Sequence, residues 1–210
     1  HGTELGYLAA FSGQLGGKAT WEGFVPPVFD YLQPDGYFKI HEREISEINA
    51  RLSEMERNPL LNELKTRLAH EQETAETELN AYRTMRAEAK KEREDKRRRG
   101  ATAEEQAAMV AESQFQKAEL RRLKQRIKAR IECLQAELNV QEKAMTDLKT
   151  KRKRLSDTLQ RWLFQQFEVL NARGERRNLL DIFAPTPQRT PPAGTGECCA
   201  PKLLQHAFVM

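Results

Sequence analysis

The sequence predicts a mainly α protein: a long antiparallel coiled-coil helical hairpin on a small base of β and irregular structure. Three observations predict it. Apolar residues recur at spacings of three and four over two long stretches. The first carries Ile45, Ile48, Leu52, Met55, Leu61, Leu64, Leu68, Ala75, Leu79, Tyr82 and Ala89. The second carries Ala111, Phe115, Ala118, Leu123, Ile127, Ile131, Leu134, Leu138, Met145, Leu148, Leu155, Leu159, Phe167 and Leu170. Between them stand Gly100, a helix stop, and a Thr102-x-x-Glu105 pattern, a helix start. The two stretches also carry opposite charge. Lys39 to Leu79 holds six Lys and Arg against ten Glu, whereas Lys117 to Arg154 holds thirteen Lys and Arg against five acids.

The first segment, 1–38, should form the base. Tyr7, Leu8 and Phe11 lie in a short apolar run bounded by glycines and read as a strand, and an aromatic stretch with Trp21, Phe24, Phe29, Tyr31, Tyr37 and Phe38 follows among prolines. The hairpin should occupy 39–173, with helices over about 39–98 and 102–172. Asn58-Pro59 should kink or briefly break the first helix, because proline lacks the N–H its turn needs and disfavours α geometry in the residue before it. The second helix, about seventy residues at 1.5 Å each, should extend roughly 100 Å. A connection this short makes the helices antiparallel neighbours, residue i facing about 200 − i, so that acidic and basic arms lie side by side. Exposed pairs of this kind contribute only ~0–1 kcal/mol each but help fix orientation. The stretch Leu159 to Leu170 is too apolar to stay bare, and Trp21 to Phe38 is the segment expected to cover it. Gly174 should end the helix. Residues 174–210 then read as a docking turn, "NLLDIF", a proline-rich linker, and the start of a next domain, as if the chain were cut from a longer one.

Composition limits the function classes. With 39% hydrophobic and 31% charged residues among 210, the chain cannot bury one large compact core. Net charge is +4, mild for a nucleic-acid binder when averaged, yet strongly uneven. Three cysteines and no charged-then-apolar leader point to a reducing cytoplasm, and no apolar window is long enough for a membrane span. The sequence shows no paired carboxylates, no Ser-His-Asp set and no phosphate loop, and neither a cofactor nor a metal is expected. Cys198 and Cys199 are adjacent and lack two well-spaced further ligands. "RLSDT", Arg154 to Thr158, lies inside a helix, without the loop context of a catalytic acid.

Two basic runs are candidates for RNA phosphate contact. Lys90, Lys91, Arg93, Lys96, Arg97, Arg98 and Arg99 crowd the bend, where a solvated tip is the plainer explanation. Lys149, Lys151, Arg152, Lys153 and Arg154 lie near the base with fewer carboxylates beside them, and are ranked first.

Three stretches carry a resemblance: "LGYLAAFSGQLGG" at Leu5 to Gly17, "FVPPVFDYLQPDGYFK" at Phe24 to Lys39, and "LLDIFAPTPQRTPPAGTGECCAPKLLQHAF" at Leu179 to Phe208. Together they resemble the N-terminal extension of bacterial RluA-like RNA pseudouridine synthases, in which a coiled-coil region precedes the catalytic domain. The resemblance implies isomerisation of uridine to pseudouridine in structured RNA, ribosomal RNA by size, without metal or organic cofactor. The family's H-R-L-D-x-x-T-S-G type motif is not in this chain, so no catalytic residue carries over, and an accessory RNA-holding arm is expected. Two other readings stand beside it: a structural or protein-binding coiled coil, including a homo-oligomer, and a metal or deaminase-like site at "ECCAPK" completed by further sequence.

Overall fold

The computed structural model describes residues 6–210 and is mainly helical, with one two-stranded sheet among the described residues. In chain order the elements are α1 (Tyr37–Arg57), α2 (Pro59–Arg98), α3 (Ala103–Gln166), β1 (Glu168–Leu170), β2 (Arg176–Asn178), α4 (Leu179–Phe183), a 3₁₀ turn (Thr195–Glu197) and α5 (Cys199–Val209). They divide into two compact units, one made of the chain through Ser53 together with Asp147–Met210, the other of Glu54–Thr146.

The first unit is built on aromatic side chains. Tyr31, Leu163, Phe164, Phe167 and Leu179 are buried together, and Val28, Phe29, Leu32, Phe38 and Trp162 pack against them. The prolines at 26 and 27 keep the segment before α1 out of a helix, so its rings are free to lie edge-on. Tyr31 meets Phe38 at 4.8 Å between centroids and 76°, and Phe29 meets Phe167 at 6.2 Å and 83°. Such pairs add about 0.5–1.5 kcal/mol beyond the area they bury. Burial also pushes the Tyr31 phenol up to about 12. Phe167, 2% exposed, is the deepest of the set, and Gly196 of the 3₁₀ turn lies flat on its ring, where any Cβ would overlap it.

Two sequence expectations are corrected here. The run Tyr7 to Phe11 is not a strand, and the Leu5 that opens the same stretch lies outside the described residues. Gly13, Gly16 and Gly17 all take positive φ, so the chain turns repeatedly and no ladder can propagate. It is held by single contacts instead: Val25 N–H donates to Ala9 O at 2.8 Å, Gly13 N–H to Glu197 O at 2.9 Å, and the buried Lys202 Nζ to Phe11 O at 2.8 Å. The second correction concerns the end of the long helix, which stops at Gln166 instead of 172. Gly174, at φ 82°, is the bend of the β1–β2 hairpin and no helix cap. Asn171 Oδ1 accepts from the N–H of both Arg173 and Glu175 there, an Asx turn that competes with helix. Leu170 N–H donates to Gln205 Oε1 at 2.6 Å, tying β1 to α5.

In the second unit, α1 gives way to α2 at a one-residue break. Asn58 Oδ1 accepts from Leu60 N–H at 3.0 Å, and Pro59 occupies a first-turn position that needs no donor. Proline therefore opens a new helix here, and the interruption expected at Asn58-Pro59 takes the form of a short break. At the other end Gly100, at φ 93°, follows α2, and α3 restarts on a full capping box. Thr102 N–H donates to Glu105 Oε2 at 2.8 Å, and Glu105 N–H to Thr102 Oγ1 at 3.2 Å. Leu64, Leu68 and Leu138 form this unit's buried cluster, with Leu61, Ile131 and Leu134 against it. Partners ascend on α2 as they descend on α3: Lys65 with Glu142, Glu71 and Glu78 with Arg130, and Arg93 with Glu112.

Gly196→Ala should destabilise the first unit by about 1–3 kcal/mol, since the new methyl must displace the Phe167 ring. Thr102→Ala should cost about 1 kcal/mol in the second. Hydrogen exchange resolved by residue checks both. Loss of protection around Phe167 is expected from the first substitution, and loss at the start of α3 from the second.

Candidate nucleic-acid interface

A cation already paired with a carboxylate of its own protein must give up that pair, worth only ~0–1 kcal/mol when exposed, to meet a phosphate. The two basic runs differ in which of their members are so paired.

Of the run near α1, Lys151 Nζ lies 3.0 Å from Glu44 Oε1, and Arg152 Nη1 donates to Asn49 Oδ1 at 3.4 Å. Both therefore brace α3 against α1. The hydrogen bond from Lys151, with smaller help from His41, holds the Glu44 carboxyl below the usual carboxylate range. Lys149 is exposed and also engaged in a contact. Lys153 and Arg154 are exposed, with no ion-pair or hydrogen-bond partner for their side chains among the described residues. They share one exposed face of α3 with Asp157 and Arg161.

The run before Gly100 divides as well. Arg93 is not on the solvent side of the bend. It is 7% exposed, with Nη1 3.2 Å from both Gln116 Oε1 and Glu112 Oε2. Gln116 is buried too, and its Nε2 donates to Glu112 Oε1 at 3.0 Å while its backbone O accepts from Tyr82 Oη at 3.1 Å. Here a polar network replaces the leucine packing lower on the same helices. Lys90 pairs with Glu94 at 3.7 Å and Arg98 with Asp95 at 3.8 Å, both within one helix and exposed. Lys91, Lys96, Arg97 and Arg99 are exposed and carry no such pair among the described residues. Lys96, Arg97 and Arg98 also lie in the last turn of α2, where positive charge suits the helix dipole with no ligand at all.

Cys198 and Cys199 lie at the start of α5. Cys198 is the residue before α5, and Cys199 Sγ lies 3.1 Å from Ser12 Oγ, whose oxygen also accepts from Cys199 N–H. Among the described residues no group of three or more His, Cys, Asp or Glu is placed to hold a metal ion. No helix among them is long and apolar enough to cross a membrane. Two cations that the basic runs did not point to, Arg161 and Arg189, line one groove together. Arg161 follows Arg154 and Asp157 at helical spacing, a signal open to sequence reading. Arg189 sits in an irregular loop and gives no such signal.

The Lys151–Glu44 pair has a pH signature. Because Glu44's folded value is depressed, its contribution is present above the ordinary carboxylate range and is lost as pH falls through the folded value. Lys151→Gln should raise the Glu44 value back toward that of a free carboxyl, read by carboxyl-carbon NMR titration. An unchanged titration would show that the pair does not form in solution.

No family model, curated protein or solved structure matches the chain, so its function has to be argued from its own residues.

Proposed function

We infer that the chain is the accessory N-terminal region of a cytoplasmic RNA pseudouridine synthase, in which α2 and α3 form a long antiparallel coiled-coil hairpin that helps hold structured RNA. The synthase assignment rests on the three stretches named above, two of which, Phe24 to Lys39 and Leu179 to Phe208, supply much of the first unit's core. The RNA assignment rests on one observation: exposed cations left without acids at Lys153 and Arg154, and at Lys91, Lys96, Arg97 and Arg99. Arg130, held by Glu71 and Glu78 of α2, shows the opposite state, while Lys117, Arg121, Lys124, Arg126 and Lys143 of α3 are likewise exposed and without an ion pair among the described residues. Unpaired Lys and Arg beside RNA release its condensed counterions, and that release drives binding.

A protein-binding arm needs a contiguous apolar face, and α3 offers none in the second unit. Phe115 and Val140 are 62% and 65% exposed, but 25 residues separate them, roughly 37 Å along a helix. Val110 is also exposed and lies about 140° around the helix from Phe115.

Lys153 and Arg154 are the stronger contact, because they belong to the unit that carries the synthase-like stretches. Neutralising Lys149, Lys151, Arg152, Lys153 and Arg154 to Gln should weaken binding to a ribosomal RNA fragment and flatten its salt dependence by ~0.7–0.9 per lost contact. Lys153→Gln with Arg154→Gln alone should give much of this effect while leaving the Lys151–Glu44 brace intact. Neutralising Lys90, Lys91, Arg93, Lys96, Arg97, Arg98 and Arg99 should do less. The opposite order would make the bend the RNA contact, and no effect from either set would make the helices a protein-contact arm.

Nitroxide labels at residues 64 and 136 should lie close within one molecule; closeness only between molecules would mean a homo-oligomer instead. The chain alone should release no tritium from 5-tritiated uridine in RNA, and turnover above background would overturn the accessory assignment.

A further inference from the structure

The face of α3 that carries Lys153 and Arg154 continues through Asp157 to Arg161, and at Arg161 it meets a second element. Asp157, Arg161, Phe164, Asp181 of α4, Arg189 and Thr190 border a groove of about 450 Å³, and Asp157 and Arg161 continue from it along the α3 face that carries Lys153 and Arg154. The four cations of this continuous surface come from α3 and from the proline-rich loop. None has an ion-pair or hydrogen-bond partner for its side chain among the described residues. The two carboxylates are not equivalent. Asp181 is occupied, its Oδ2 accepting from Asn178 Nδ2 at 2.8 Å as part of the α4 cap. Asp181 keeps its charge in that role, so two carboxylates stand against four cations, and Asp157 is the one without an ion-pair or hydrogen-bond partner of its own among the described residues.

Arg189 adds a conformational observation. It is the one non-glycine residue with positive φ among those described, at 55°, held by its N–H donating to Thr186 O at 3.1 Å. A side chain in this region costs of order 1–3 kcal/mol unless its surroundings hold it there. Glycine would suit the turn better, yet an arginine occupies it, on the border of the groove.

We propose that this groove is a binding site for the phosphodiester backbone of RNA, with Arg161 and Arg189 gripping phosphates from opposite walls and Lys153 and Arg154 extending the track along α3. The site rests on the RNA-holding function above and locates its main contact outside the two basic runs. The guanidinium forks suit phosphate oxygens, and the groove contains no stack of exposed rings, so it should read backbone and not base.

The test uses the full chain and a structured ribosomal RNA fragment, with affinity followed from 50 to 200 mM salt. Arg161→Gln combined with Arg189→Gly removes both guanidiniums, and glycine keeps the turn without strain. The double variant should lower the salt slope by ~1.4–1.8, so its affinity deficit should shrink about tenfold across that range. Asp157→Asn should instead tighten binding several-fold, an effect that a merely structural residue would not give. Circular dichroism should be unchanged for both. If the double variant binds like wild type while the Lys153/Arg154 or bend variants weaken binding, the groove is overturned and the RNA-holding arm stands. If Asp157→Asn leaves affinity unchanged, the groove is likewise not the phosphate site. If the unaltered chain binds no RNA at 50 mM salt, both assignments fall.

Discussion

An unbroken helix of 64 residues cannot bury its own apolar stripe, and the fold is organised by how α3 obtains cover. Backbone hydrogen bonding in the interior of a helix is complete within itself, so between its capped ends what is left to satisfy is one strip of side chains after another. Two different solutions are used on the two units that α3 enters. In one, Leu138, Leu134 and Ile131 meet the leucines of α2. In the other, Leu163, Phe164 and Phe167 meet an irregular segment of rings between Val28 and Phe38. The first solution is repetitive and tolerant, since one leucine is much like the next. The second is specific: Phe167 fits only because Gly196 has no side chain.

The same helix carries more positive charge than its neighbours can neutralise. Arg130 shows the paired state, between Glu71 at 2.6 Å and Glu78 at 3.2 Å. Such exposed pairs hold little energy, but they set which stretches of α3 are available to an outside anion. Beside α1 the acids reach as far as Lys151. Past that point Arg161 of α3 shares a groove with Asp181 of α4 and Arg189 of the proline-rich loop, and no carboxylate there makes an ion pair with it among the described residues. Charge selection along α3 therefore follows from which element happens to lie next to each turn.

Much of this was legible in the sequence, for physical reasons that differ by region. The helices were legible because a period near 3.6 repeated over forty and more residues is hard to produce otherwise, and the Thr102/Glu105 box was legible because capping is local. The cover of Leu163 and Phe167 by the Val28–Phe38 rings was legible as a matter of supply: bare rings and a bare stripe occurred together. The end of α3 was misplaced because Val169 and Leu170 continue the apolar pattern and outweigh the local Asx turn at Asn171, while the contact from Leu170 to Gln205 depends on a residue far along the chain. Tyr7 to Phe11 looked like a strand for want of any sign that three glycines would all take positive φ. Arg93 was counted with the bend cations because a charge run does not reveal which member points inward.

Arg93 also bears on how such helices keep their alignment. A run of leucines can slip by one turn and still find leucines, so apolar packing alone specifies register weakly. A buried arginine has no such freedom. It uses Gln116 Oε1 and Glu112 Oε2 together, and because these two are one turn apart a slip of one turn would leave the buried guanidinium at most one of them, so part of its compensation would be lost. Tyr82, donating to the backbone of the same Gln116, narrows the choice further. The network lies toward the bend, where the Gly100 connection already restricts the stagger, and the leucine cluster lies farther from it. Polar contacts there fix the alignment, and the leucines beyond are free to provide burial alone. A cation used in this way is withdrawn from any RNA contact, and the basic run at the bend is weaker as a ligand surface for that reason.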